Sequence, residues 1–487
     1  LTGLLLLLLA LTALSQPAPV DALLSPAQVV KLAADDLAGL PADVQPHIRY
    51  ISLAMLPATK RSSWAAVLSG HVNGLSREVD LVQLASVGGG FLLRVNLLDY
   101  GIDPRVWDKL PDPYFTARIR TTLKTLWPGG VWTDGQSYAA GSFVWVREEV
   151  TVATAPWLSE TPAGKTAVTY LAAQTGSPVP VVHGPWFLWQ TATDEGRGGL
   201  GYSGFLGVKN QKDFENLVRF DAKQSAKLEH LRGIVWSDIT QQPRRFKLGK
   251  TTVGGGGYYE TFDSALAVDA KNPIRVLEDA GNGFEFDVTE KIAAGLNGWP
   301  KNYLGNSKGE RADKAPDNIV QGDHTGTRSK ELLNNISCWG CHTEGKAFDY
   351  IRPIDPVPIR KLTSYDYETF LTLKRQYKRD ATLQTQMAID RASFAGAVKE
   401  ATGMTIQEFG QSYRAYYNAH DDLRAGVAQV SRDWGLTGAQ VTRAMRDYGE
   451  DRLDPVLSIV LSGGTIPRSA YEELQPVLAQ VFAGVKR

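Results

Sequence analysis

Cys338-Trp339-Gly340-Cys341-His342, led into by Ser329-Lys330-Glu331-Leu332-Leu333-Asn334-Asn335-Ile336, is the stretch on which the rest of the chain turns. It holds both of the cysteines in 487 residues. Taken as an amphipathic helix running into the motif, the segment puts Cys338 and Cys341 at i and i+3, so that both thiols point the same way. From about residue 327 almost to the end the pattern is helical. Thr405-Ile406-Gln407-Glu408 and Thr437-Gly438-Ala439-Gln440 have the form of capping boxes ahead of apolar segments with helical period. A helical C-terminal domain over residues 326–487 is expected.

Upstream the period changes. Residues 91–97, 142–146, 179–189 and 284–288 read as strands, whereas 26–38, 45–56 and 63–75 carry apolar residues at the three- and four-residue spacing of amphipathic helices. Ser25-Pro26-Ala27-Gln28 looks like a helix start, with a Ser cap, Pro at the first helical position and Gln at the third. Asn282-Gly283 and Asn297-Gly298 are favoured tight-turn pairs, and 302–323 reads as a linker or a long hairpin. The expected fold class is α+β: a helical segment over 16–80, a mixed and mainly antiparallel region over 81–325, then the helical domain.

Composition narrows the function classes. Lys and Arg together number 52, as do Asp and Glu, so no global field favours nucleic acid or an anionic membrane as partner. A hydrophobic fraction of 43% builds a core and argues against disorder. Two cysteines cannot make a disulfide scaffold, and 12 Trp imply large aromatic surfaces that are buried or used in binding. Residues 1–15, LTGLLLLLLALTALS, read as an export signal, because the apolar block over 4–14 has the length of an h-region and falls short of the ~20 residues of a bilayer span. The sequence opens on Leu with no basic segment before that block, so an N-terminal piece is expected to be missing. The mature chain is expected to be periplasmic or otherwise exported, without an integral span.

C-x-x-C-H is the arrangement of covalent haem c attachment. Through Cys338, Cys341 and His342 the chain resembles the c-type cytochrome superfamily. In its single late motif and helical tail it is also similar to long exported monohaem proteins. The resemblance implies one covalently attached haem c, His342 as axial iron ligand, a cytochrome c-like C-terminal domain, and electron transfer with a redox partner protein. A haem enzyme with an open iron position, either a peroxidase or a substrate oxidase, is the alternative, together with a haem-based sensor or binding module.

The sixth ligand would decide among these. Met404, in the loop after Gly403, is one candidate, although it could instead staple onto Phe409. Met387 is another, although its helix-like setting suits a core filler. Met445, His420 and His324 follow. Arg352 joins the cofactor-binding set as a propionate partner, with Lys346 and Arg360, and comparable cytochromes supply a carbonyl to the second N–H of the axial His from the 352–354 region. Trp339 reads as packing or a haem-edge contact. The same thiols could form a thioredoxin-like dithiol or a local disulfide, against which the helical lead-in argues; zinc would need more ligands. Gly196-Arg197-Gly198-Gly199-Leu200-Gly201 matches G-x-G-x-x-G, but Asp194-Glu195 rather than a strand precede it, so a glycine-rich loop is expected.

Overall fold

The Ser25 hydroxyl accepts from the Gln28 N–H while the Gln28 side chain accepts from the Ser25 N–H, and this reciprocal cap opens the helix Pro26–Ala38. The computed structural model describes residues 24–126, 130–131, 137–138, 143–159, 161–227, 231–237, 242–252, 256–263, 288–306, 308–315, 320, 331–342, 381–449 and 452–485. The proposed signal over 1–15, the Asn282-Gly283 pair and residues 284–287 lie outside them. The chain divides into two compact units, each made of segments distant in sequence. Leu56–Val106 joins Gly184–Arg424 in one; Leu23–Met55, Trp107–His183 and Ala425–Arg487 make the other.

The first unit contains an antiparallel meander of five strands, Leu231–Ser237, Gln242–Lys250, Gly257–Asp263, Val288–Ala294 and Pro300–Asn306, each paired with the next. Asn297-Gly298 lies in the turn between the last two strands, where Gly298 at φ +74° takes a left-handed conformation open to a residue without Cβ. In that final pair Ile292 stands opposite Asn302, and Pro300 and Asn302, two apart on one strand, share a face. The strand ends in a turn that brings Gly305 back beside Arg311, which makes the start of 302–323 a hairpin.

The helix Ala58–Leu75 is buried without a break from Val67 to Leu75, so its second half has no exposed polar stripe. Gly70 and Gly74 let Trp299 lie close against it: a Cβ on Gly74 would come within 3.1 Å of the Trp299 indole nitrogen. The helices Ala381–Thr402 and Ile406–Asp421 follow, the second opened by the expected capping box of Thr405 and Glu408. Its inner face is Phe409, Tyr413, Tyr417 and His420, at helical spacing.

In the second unit the strands Ile48–Ser52 and Val181–His183 pair in parallel, and a long antiparallel ribbon joins Thr116–Leu126 to Phe143–Thr154 with a register shift between Leu123 and Lys124. Its tail is a succession of helices, Val427–Trp434, Gly438–Tyr448, Pro455–Leu461, Arg468–Glu473 and Gln475–Phe482. Thr437 and Gln440 form the expected box at the second of these. The fold is mixed α+β with antiparallel pairing predominant. Among the described residues no helix is long and apolar enough to cross a membrane.

Three stretches depart from expectation. Residues 45–56 hold a single 3-10 turn, Gln45–His47, and the strand Ile48–Ser52, every residue of which is buried. A short strand buried on both faces, with Arg49 and Ser52 among its enclosed residues, shows no apolar–polar alternation and is easily taken for a helix. The 179–189 run is a strand only over Val181–His183; from Gly184 it is the helix Gly184–Thr191, so enclosed that its apolar residues carry no period. The lead-in to the cysteines, read as helix, is from Glu331 onward a bridge and a turn, and the helix begins only at Cys338. Asn335 stops it, because its φ of +65° is left-handed and cannot continue a right-handed helix.

Candidate functional site

The approach to Cys338 is pinned residue by residue. Leu333 bridges to Lys314, and its N–H donates to the Ser337 hydroxyl at 2.9 Å. The Asn334 amide donates to the Asp194 carboxylate at 2.8 Å and reaches the Ser203 hydroxyl at 3.3 Å. Asp194 is itself held by the N–H and O–H of Ser203 and by Arg311 at 3.0 Å. The Asn335 carbonyl then accepts the Cys338 N–H at 3.0 Å, and the short helix Cys338–His342 starts from it.

Cys338 and His342 open onto one cleft, whose walls are Ile292, Pro300, Asn302, Trp339 and Phe394. Cys338 is buried and His342 half-buried. Cys341 lies on the same turn, and its side chain is outside the described residues. Among the described residues, Asn302 is the polar member of the wall apart from the motif. The cleft is partly open and offers about 10 Å³, room for one water.

Trp339 turns into an aromatic nest. Its ring centroid lies 4.8 Å from Phe409, 5.5 Å from Phe394, 5.7 Å from Tyr413 and 5.8 Å from Trp299. Edge-on and tilted ring contacts of this kind add to area burial and give the motif a rigid backing. Its role as packing follows from these contacts.

Behind the nest is a buried polar chain. The Asn302 amide donates to the Asn335 side-chain oxygen at 3.0 Å, and the Asn302 N–H to the Tyr202 hydroxyl at 3.1 Å. The Asn335 amide donates to the Ala192 carbonyl at 2.9 Å and to the Tyr413 hydroxyl at 3.2 Å. Tyr413 meets His71 Nδ1 at 2.9 Å, and His71 Nε2 meets the Thr191 hydroxyl at 2.6 Å. Burial pushes His71 down to about 3 and holds the Tyr413 phenol well above its ordinary range.

Of the proposed site residues, Cys338 and His342 come together. Met387 is buried in the helix Ala381–Thr402, seven residues before Phe394 and so about 10 Å along the axis from it. Met404 is half-buried in the turn that follows, its N–H on the Thr402 hydroxyl at 3.0 Å. Neither is among the residues lining the cleft. His420 packs its ring 5.6 Å from Trp189, and Met445 belongs to the other unit. His324, Lys346, Arg352 and Arg360 lie outside the described residues. Residues 196–201 form a loop with Gly196, Gly198 and Gly199 at positive φ, after a helix and not a strand. Among the described residues no three His, Cys, Asp or Glu side chains gather as a metal site.

The donor set suits haem c in chemistry and direction, since a thiol and an imidazole from one helical turn face one largely apolar cleft. Ligand pockets run to several hundred Å³. The described walls therefore match a macrocycle in donor chemistry and not in volume. Sequence reasoning missed Asn302, Asn335, Tyr413 and His71; only the Asn334-Asn335 doublet beside the motif hinted at a turn. In comparisons with known proteins no family model, no curated protein and no solved structure matches the chain.

Proposed function

We propose that the chain is an exported monohaem c-type cytochrome, with haem c joined to Cys338 and Cys341, His342 as axial ligand, and electron transfer to a partner protein as its task. The observation that carries this is the shared cleft of Cys338 and His342 at a C-x-x-C-H turn whose approach from Leu333 to Ser337 is anchored by hydrogen bonds. When bound, the haem supplies a one-electron ferrous/ferric couple whose potential follows from axial ligation and burial. The chain's part is to aim the His342 imidazole, to keep water from the attachment edge with Ile292, Pro300 and Phe394, and to brace the turn through Trp339.

A second reading, a haem enzyme or gas sensor with an open iron position, is favoured by the placing of Met387 and Met404 off the described cleft. One experiment addresses both. The full chain is produced with a c-type maturation apparatus, then denatured for mass and haemochrome spectra and tested natively with peroxide and carbon monoxide. One added haem per chain and a thioether-type spectrum are expected, with Cys338→Ala losing one thioether. Colourless chain of unmodified mass overturns both readings; native reaction with peroxide or carbon monoxide selects the second.

A further inference from the structure

The hydrogens of the buried chain behind the motif can be assigned one by one. The Thr191 hydroxyl donates to the Phe187 carbonyl at 2.6 Å, so toward His71 it can only accept, and His71 carries its proton on Nε2. Nδ1 is then an acceptor, and the Tyr413 O–H donates to it. With its one proton committed, the Tyr413 oxygen accepts from the Asn335 amide, whose own oxygen accepts from Asn302. Donation runs without conflict from Asn302 in the wall of the cleft, through Asn335 and Tyr413, to His71 on the helix Ala58–Leu75 and on to Thr191.

All three Asn335 contacts serve a residue at φ +65°, a conformation that asparagine tolerates better than most residues but that still carries a cost. From that backbone angle the Asn335 carbonyl points at the Cys338 N–H and sets where the helix Cys338–His342 begins and which way it faces. We infer that Asn335, locked by Tyr413 and His71, is the positioning residue that presents Cys338 and His342 to the macrocycle before it is attached. This rests on the haem c reading above. His71 serves as a fixed acceptor here, and burial keeps it neutral through ordinary pH.

Tyr413→Phe tests the inference, since it removes the phenol and keeps the ring on Phe409 and Trp339. In the cofactor-free full chain, amide exchange at Cys338 and Gly340 should quicken about tenfold, the scale of one lost buried hydrogen bond. Exchange in the helix Ile406–Asp421 should stay as in wild type. In the matured chain the share carrying covalent haem should fall, and the optical bands and midpoint potential of the loaded fraction should shift, which a loss of stability alone would not cause. If Tyr413→Phe does not fold, Asn335→Gly replaces it, because glycine takes this φ freely yet lacks the side-chain contacts; Asn335→Ala, which loses both, should be worse on every readout. Unchanged exchange, loading, bands and potential in a folded variant overturn the inference while leaving a haem-bearing wild type intact. A wild type without haem overturns the reading beneath it, and the exchange result still decides whether Asn335 positions the turn.

Discussion

Lys301 shows how much a single side chain can weigh. It sits on the strand Pro300–Asn306, fully buried, between two residues that face the cleft, and its ammonium donates to the Asn73 and Gly74 carbonyls at 3.1 and 2.8 Å. It thereby closes the C-terminal end of the helix Ala58–Leu75, where a cation is welcome. Burial nevertheless pushes it down to about 7 from 10.5. Between those values the unfolded chain binds a proton that the folded chain does not, so stability rises with pH across that window, by an upper bound of about 5 kcal/mol. Denaturant melts of wild type and Lys301→Met at neutral and alkaline pH measure it, and the variant should lose most of the slope. An equal slope in both would place the titration elsewhere.

At the scale of elements the contest is between propensity and packing. Replacing a helix glycine by alanine ordinarily gains about 1 kcal/mol. At Gly70, however, a Cβ would come within 2.4 Å of Phe409, 2.7 Å of Thr402 and 2.8 Å of Trp299. Overpacking costs about 1–3 kcal/mol and should win, so Gly70→Ala is expected to lower the melting temperature. It should also disturb Trp339 emission, because Phe409 and Trp299 both pack on that ring. Thr405→Ala should cost about 1 kcal/mol through the lost cap, and Thr405→Ser much less, in thermal melts.

The three caps at Ser25, Thr405 and Thr437 were legible because capping chemistry is local, and so was the Asn297-Gly298 turn. The strand Ile48–Ser52 and the helix Gly184–Thr191 were not, because enclosure erases the periodic signal. At the site, the C-x-x-C-H motif named Cys338 and His342, and the fold opens both onto one cleft, although the helical lead-in assumed for the motif is a turn. The Asn335–Tyr413–His71 lock was not: its members come from positions 71, 335 and 413, and only the fold brings them together.

At the scale of the whole molecule the two units should answer pH in opposite senses. In the unit that carries Cys338, His71 is pushed down to about 3, so its contribution is lost as pH falls from 6.5 toward 3, and that of Lys301 grows from about 7 upward. Both favour higher pH. The other unit buries two carboxyls. Asp433 accepts from the Tyr471 hydroxyl at 2.7 Å and from Gln429 at 2.8 Å, and Asp112 accepts from the N–H groups of Tyr114, Phe115 and His183. In each, burial outweighs those donors and pushes the group up to about 7. A folded pKa raised above 3.8 gives stability that is present at acid pH and lost as pH rises toward about 7. Amide exchange corrected for intrinsic rate, followed from about pH 4 to about pH 9, separates the units within one chain. Protection in the helices Ala58–Leu75 and Ile406–Asp421 should rise with pH while protection in Val427–Trp434 and Gln475–Phe482 falls, and Asp433→Asn should weaken only the second trend, leaving the part due to Asp112. Parallel trends in both units would mean that these buried groups do not govern the response.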